Sequence, residues 1–206
     1  KDALINENEF LAEVSNVKST DKVLDAGCGV GGSAIWLAKN IGASVVGITI
    51  STKQLEYGMW LVKKEGLTSK VKLEINDYLN TGFPSDTFDV VWAIESLCHA
   101  ENKIDFLREA YRILKPGGRL VVADGFINRD ILETEEKLYE DFLVGFVLSN
   151  LSKSLDFERD LKELGFREIS VWDKTVNVMK SLRILYLRVL VGYPFLKFGN
   201  LIGLVP

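Results

Sequence analysis

Cysteine, histidine and proline are scarce in these 206 residues: two cysteines, one histidine and four prolines. Cys28 and Cys98 lie 70 positions apart and make no disulfide framework, so a reducing, cytoplasmic setting is expected. His99 is the lone imidazole, and no Cys/His cluster has metal-ligand spacing, so no metal is expected. No run approaches 18 uninterrupted apolar residues, which argues against a membrane-spanning helix. Lys1 to Phe10 is charged and polar, unlike a secretory leader. The chain does not open on Met, so a processed or partial N-terminus is expected. An excess of positive charge is also missing: the net charge of −4 argues against a nucleic-acid partner held through phosphates. Repeats and low-complexity segments are absent.

What is present suffices for a core. Apolar residues make up 47% of the chain and aromatics 10%, enough for one domain with a small appendage. The mean hydropathy of +0.10 is high, and its source is uneven. Residues 175–206 contain no Asp or Glu and carry +4 through Lys180, Arg183, Arg188 and Lys197. With −4 on the whole chain, residues 1–174 carry −8. Leu182, Ile184, Leu185, Leu187, Val189, Leu190 and Val191 give this tail a broad apolar surface on a helix, and Tyr186, Tyr193, Phe195 and Phe198 add aromatic area. Pro194 and Gly199 would interrupt that helix. A packed helical appendage, a lid and a surface meeting a membrane are all open readings.

Strand and helix patterns alternate before the tail. Apolar spacing predicts a helix over Asn6–Val17, then a short buried strand at Lys22–Ala26. A helix follows at Ser33–Ile41, a strand at Ser44–Ile50, and a helix at Thr52–Glu65 that stops at Gly66. Strands are predicted at Val71–Ile75, Phe88–Ile94 and Arg119–Ala123, with a helix over Lys103–Leu114 ended by Lys115-Pro116-Gly117-Gly118. Beyond Gly125, helices are expected at Ile131–Leu148 and Phe157–Leu164, and a sixth strand at Arg167–Trp172. The alternation implies an α/β fold: a Rossmann-like, doubly wound, mainly parallel sheet with helices on both faces. The expected division is a core at 1–174 and a helical appendage at 175–206. Ligands bind such sheets at the carboxyl ends of the strands.

The first strand ends in Asp25-Ala-Gly27-Cys-Gly29-Val-Gly31-Gly32. Gly27, Gly29 and Gly32 satisfy the dinucleotide-type glycine spacing, a weak signal alone. A nicotinamide dinucleotide also needs an acid near the end of the second strand for the ribose. That strand ends Gly47-Ile48-Thr49-Ile50-Ser51, with no Asp or Glu between Asp25 and Glu56. The acid stands ahead of the glycines instead. That order suits a ligand with a cationic amine and no pyrophosphate, with Asp25 drawing the ammonium directly or through water.

Val23-Leu-Asp25-Ala-Gly27-Cys-Gly29 resembles motif I of the class I S-adenosylmethionine-dependent methyltransferases, and the resemblance covers roughly residues 6–175. Thr49-Ile50-Ser51 with Gln54 is similar to the branch acting on sterols, tocopherols and cyclopropane fatty acids, which commonly lacks the acidic ribose ligand. The resemblance implies S-adenosyl-L-methionine as cofactor and S-adenosyl-L-homocysteine as product. It puts Asp25, Gly27 and Gly29 against the amino-acid part, and Thr49, Ile50 and Gln54 against the ribose and its surroundings. Asn76, Asp77 and Tyr78 fall near the adenine, and backbone at Ala93 and Ile94 beside the methyl sulfonium. Ala93-Ile-Glu95-Ser-Leu-Cys98-His99-Ala100 resembles the Ile-Glu-x-x-x-His-Ala run of the sterol and tocopherol enzymes and implies a small, hydrophobic methyl acceptor.

Methyl transfer from a sulfonium is an in-line displacement, and much of its catalysis can come from positioning. Where the acceptor must lose a proton, Glu95 and His99 are the candidate catalytic pair; on a helix they stand at i and i+4, on one face. Tyr78 and Trp92 are candidate aromatic walls, Trp92 more naturally a core residue, and both cysteines suit packing. Carbon, nitrogen and oxygen acceptors are all open, as is a homodimer. The competing readings are a nicotinamide-dependent oxidoreductase, disfavoured by Thr49, and a cofactor-binding regulator without turnover.

Overall fold

The strands are built around short apolar, β-branched runs such as Val45-Val46 and Val90-Val91, which suit a parallel sheet covered by helices. They are β1 (Lys22–Ala26), β2 (Ser44–Thr49), β3 (Val71–Ile75), β4 (Phe88–Ile94) and β5 (Leu114–Ala123). The computed structural model describes residues 2–179, 182–184, 186 and 187. It divides into two units, Lys1–Arg167 and Glu168–Pro206. In the first unit the strands form one sheet in the order β3-β2-β1-β4-β5, and every pairing is parallel. The expected α/β, Rossmann-like sheet is therefore present. The chain leaves β1 toward β2 and later returns to β4 on the other side, which opens a crevice beyond the end of β1.

In this first unit the sheet is accompanied by α1 (Asp2–Val14), α2 (Gly32–Trp36), α3 (Thr52–Lys64), α4 (Lys103–Ile113), α5 (Glu136–Phe146) and α6 (Ser154–Leu164). Local chemistry starts two of them. Ser51 Oγ accepts from Gln54 N at the head of α3, and Asn102 Oδ1 accepts from Ile104 N at the head of α4, both at 3.3 Å. α4 buries Phe106, Leu107, Ala110 and Ile113, its 3.6-residue stripe. Val23, Val45, Val71, Val90, Trp92 and Leu37 meet in one cluster.

Leu73 of β3 fills space left by three glycines. A Cβ added at Gly47 or Gly58 would stand 2.6 or 2.7 Å from its methyls, and one at Gly31 would stand 3.0 Å away. The glycine loop, β2 and α3 all close on that one side chain.

Several expectations are corrected. The helix predicted over Ser33–Ile41 is α2 followed by a wider π turn at Leu37–Ile41, stopped at Gly42 with φ +86°. The segment Lys115-Pro116-Gly117-Gly118 bulges within β5, shifting the register between Phe88 and Val90. Ile131–Leu148 forms a 3-10 turn at Glu133–Glu135 and then α5. Arg167–Trp172 forms no strand, and Val171 and Trp172 are exposed. Alternating β-formers become a strand only beside a partner edge, and among the described residues the sheet ends at β5 without taking up this run.

In the second unit, residues 175–179 are helical, with Val176 and Val178 exposed. Most of the apolar run from Leu182 to Val191, and all of Tyr193 to Phe198, lies outside the described residues. Among the described residues, no helix is long and apolar enough to cross a membrane.

Arg119 of β5 pins the turn between α1 and β1. Its guanidinium donates to the carbonyls of Ser15 and Asn16 and to Asp21 Oδ2 at 2.9, 2.5 and 2.5 Å. Asp21 is buried and also accepts from Lys18 N. Arg119→Ala strips a buried carboxylate of its cation and is expected to cost about 1–3 kcal/mol. For a chain of this size that is a Tm drop of roughly 2–4 °C per kcal/mol. An unchanged melting transition would show that the turn holds without Arg119.

Candidate active site

The sequence-predicted ligand residues converge on the carboxyl edge of the sheet. Asp25 lies near the end of β1, Thr49 and Ile50 at the end of β2, Asn76–Tyr78 beyond β3, and Ala93–Glu95 at the end of β4. Strand order sets these groups side by side as β3, β2, β1, β4.

Asp25 is 3% exposed, between Gly47 of β2 and Trp92 of β4. Its Oδ2 accepts from Ala34 N at 3.1 Å, which fixes the first turn of α2 over the glycine loop. Burial pushes its carboxyl up to about 7, and the Ala34 bond offsets only part of that. No basic side chain contributes to lowering it.

The turn after Asp25 requires glycine. Gly27 has φ +83°, and a Cβ there would stand 2.5 Å from Ser96 Cβ. Gly27 N and Cys28 N both donate to Ile48 O, at 3.0 and 2.8 Å. At Gly29, φ is +55° and an added Cβ would meet nothing within 4 Å, so backbone is open there to a ligand.

At β2, buried Thr49 donates from Oγ1 to Gln54 Oε1 at 2.9 Å and accepts from Ser51 N at 3.2 Å. Gln54 is exposed, and a carboxamide whose oxygen is occupied still offers its N–H groups. Ile50 is 78% exposed, a large apolar side chain standing at the strand end.

Beyond β3, Asn76 is mainly a loop fastener, donating to Thr81 O at 2.8 Å and accepting from Asp77 N. Asp77 Oδ1 accepts from Leu79 N at 2.9 Å, an Asx-type turn on an exposed residue. Tyr78 reaches across to β4, donating to Ser96 O at 3.1 Å, with its ring edge-on to Phe106. Burial pushes its phenol up to about 12, so it remains a neutral donor.

The 93–100 run differs from expectation. Glu95 N donates to Ala123 O, which holds the end of β4 against β5. Glu95 itself takes φ +47°, and only Leu97–His99 is helical, as a 3-10 turn. Glu95 and His99 therefore do not share a helix face at i and i+4: a left-handed residue breaks the chain direction between strand and turn. Both are exposed. His99 Nδ1 lies 3.1 Å from Val147 O, just beyond α5. Trp92 is fully buried, a core residue rather than a wall. Both cysteines are buried and their thiols pushed up, Cys98 to about 12, as packing residues should be.

Other participants escaped the sequence reading. Glu7 of α1 is half-buried; burial and the charge of Glu95 both push its carboxyl up. Asp124 Oδ2 accepts from Cys98 N at 3.0 Å and anchors the 3-10 turn. Ser96 Oγ is buried without a partner, beside Gly27. None of these carries a local sequence signal; their positions depend on contacts distant along the chain. Among the described residues, no group of three His, Cys, Asp or Glu could hold a metal.

The buried Asp25, the glycine backbone open at Gly29 and the unpartnered Ser96 hydroxyl fit a polar, cationic ligand end. Ile50 and the Thr49–Gln54 pair fit an apolar ring and a hydroxylated sugar. This arrangement has a measurable signature in the ligand-free protein. Asp25 titrates near 3.8 when unfolded and at about 7 when folded. Between those values only the native state holds the proton, so stability falls as pH rises through that window, by on the order of 4 kcal/mol. Asp25→Asn keeps an acceptor for Ala34 N and removes the titration. The difference in urea stability between wild type and Asp25→Asn is expected to favour the variant increasingly from pH 4 to pH 7. A pH-independent difference would contradict a buried, unpaired Asp25.

Residues 24–122 match the methyltransferase domain family. The chain is 38% identical over 148 residues to the methyltransferase GfsG of Streptomyces halstedii, covering 72% of this chain and 52% of that protein. It is 33% identical over 168 residues to a probable chloroplastic tocopherol O-methyltransferase of rice, covering 78% and 46%. Geranyl diphosphate C-methyltransferase of Streptomyces coelicolor, in complex with Mg2+, geranyl diphosphate and S-adenosyl-L-homocysteine, superposes with a TM-score of 0.69 at 25% identity, covering 77% and 57%. The chain spans about half the length of the curated relatives it matches. With the parallel sheet, the glycine turn and these similarities together, residues 24–122 form a methyltransferase domain of the S-adenosylmethionine-dependent kind, and the chain is similar to tocopherol and sterol methyltransferases.

Proposed function

We propose that the chain binds S-adenosyl-L-methionine along the carboxyl edge of β1 to β4 and catalyses methyl transfer to a small, hydrophobic acceptor, releasing S-adenosyl-L-homocysteine. The observation that carries this reading is Asp25, a buried carboxylate with no cationic partner among the described residues, beside open glycine backbone. An ammonium group is the natural partner for it. The absence of an acid at Thr49 weighs against a nicotinamide dinucleotide.

When bound, the cofactor supplies a methyl group already activated on sulfonium. The chain's residues then bind and orient. Asp25 receives the ammonium, directly or through water. Gln54 with Thr49 addresses the ribose, Ile50 lies against the adenosine, and Asp77 with Tyr78 borders the adenine. Gly27 and the backbone at Ala93 and Ile94 border the sulfonium, where Glu95 and the neighbouring Glu7 place negative charge near the cation.

His99 is the proton acceptor in this reading. A carbonyl only accepts, so the bond to Val147 O places the proton on Nδ1 and leaves the lone pair on Nε2. An apolar acceptor is favoured by α5, which buries none of its residues and exposes Leu138, Phe142, Val144 and Phe146. The same reading takes the chain to be cytoplasmic.

Ligand-induced stabilisation tests the cofactor assignment. S-adenosylmethionine or its demethylated product, at 100 times its Kd, should stabilise the fold by about 2.7 kcal/mol, and Asp25→Ala should lose most of that shift. Stabilisation by NAD but by neither sulfonium-cycle compound would sink the proposal. With an acceptor in hand, His99→Ala should lower kcat by roughly 10²–10⁴-fold if proton removal accompanies transfer.

A further inference from the structure

The segment after α5 is laced onto the turn that carries His99. Ser149 N donates to Cys98 O at 3.3 Å and Ser149 Oγ to His99 O at 2.8 Å. Asn150 Nδ2 donates to Glu101 O at 2.8 Å. Lys103 ties the two segments together: Nζ donates to Ala100 O at 2.5 Å, Asn150 Oδ1 at 2.8 Å and Asn150 O at 3.1 Å. Lys103 is 8% exposed, so an ammonium has been brought out of water to sit at this junction. Its three protons meet three acceptors, the condition for tolerating a buried charge.

This lacing ends at one carbonyl. Val147 closes α5 with φ +55°, a conformation β-branched residues rarely take. In that conformation its carbonyl accepts from His99 Nδ1 at 3.1 Å. Val147 is itself 81% exposed, so burial of its own side chain does little to hold it there. The contacts at 149 and 150 fix the backbone two and three residues further on.

We propose that Lys103, acting with Asn150, is a positioning residue that keeps Val147 O against His99 and thereby locks the imidazole in the Nδ1–H tautomer. The use of Nε2 as a base rests on the functional reading above; the locking of the ring does not. A neutral imidazole free in water favours the opposite tautomer, so the locked state is distinguishable from an unrestrained ring.

The chain has one histidine, which makes the measurement direct. A long-range ¹H–¹⁵N correlation spectrum of the ¹⁵N-labelled chain, at a pH where the ring is neutral, shows both ring nitrogens of His99 alone. In wild type, Nδ1 is expected to resonate as a protonated nitrogen and Nε2 as a lone-pair nitrogen. In Lys103→Met both should move toward the averaged positions of an unrestrained histidine. A wild-type spectrum with the proton on Nε2 overturns the proposal. So does a folded Lys103→Met variant that keeps the wild-type pattern. Should Lys103→Met fail to fold, Asn150→Ala, at a half-buried position, decides by the same criterion. No cofactor or acceptor is needed for the spectrum. Full turnover in His99→Ala would remove the base from the functional reading while leaving a ring locked by Lys103 in place.

Discussion

A carboxylate held away from water organises the crevice. Asp25 stands on the central strand, flanked by Gly47 and Trp92, and its carboxylate accepts from the amide that opens α2. Because that bond fixes the start of α2, the glycine loop between them has little freedom. Because the loop turns back immediately, Gly27 lies against Ser96 and the end of β4 is drawn toward β1. Desolvation makes the charge on Asp25 costly until a cation arrives, so the same group that shapes the loop also prepares it for one kind of ligand.

That the residues proposed to hold the cofactor share one sheet edge was legible because its determinants are local. Strands bounded by glycine and Asx turns announce themselves, and the residues at their carboxyl ends share an edge once the strand order follows from alternation. The acceptor half was not. Whether Glu95 and His99 share a face depends on one backbone torsion, and Glu95 adopts a left-handed conformation that nothing in Ile-Glu-Ser-Leu announces. Glu7, Asp124, Lys103 and Asn150 each matter through a partner far along the chain. The misread strand at Arg167–Trp172 has the same origin: its pattern is adequate, but a strand is a relation between two segments.

The two halves differ physically as well. Around Asp25 the polar groups are few and the surroundings apolar, so electrostatics are strong and geometry is set by close packing. Around His99 the contacts are hydrogen bonds between loops, with Asp124 anchoring one side of the 3-10 turn and the 147–150 segment the other. A rigid binding edge thus adjoins a turn assembled from two distant pieces of chain. Variation in the 124–150 region can reshape the turn that carries His99 without disturbing the edge that carries Asp25.

Leu73 carries a consequence for how this sequence can diverge. Its methyls occupy the space beside Gly31, Gly47 and Gly58, which come from the loop, β2 and α3. Alanine at Gly47 collides with Leu73 and crowds Cys28, and alanine at Gly58 collides with both Leu73 and the backbone carbonyl of Val30; shortening Leu73 would leave a void shared by three elements without clearing either site. Gly31 adds a φ of +78° that disfavours any side chain, so a larger residue is penalised at all three glycines whether or not Leu73 gives way. Homologous sequences should therefore keep glycine at all three, a historical trace of how closely the loop, β2 and α3 approach one another.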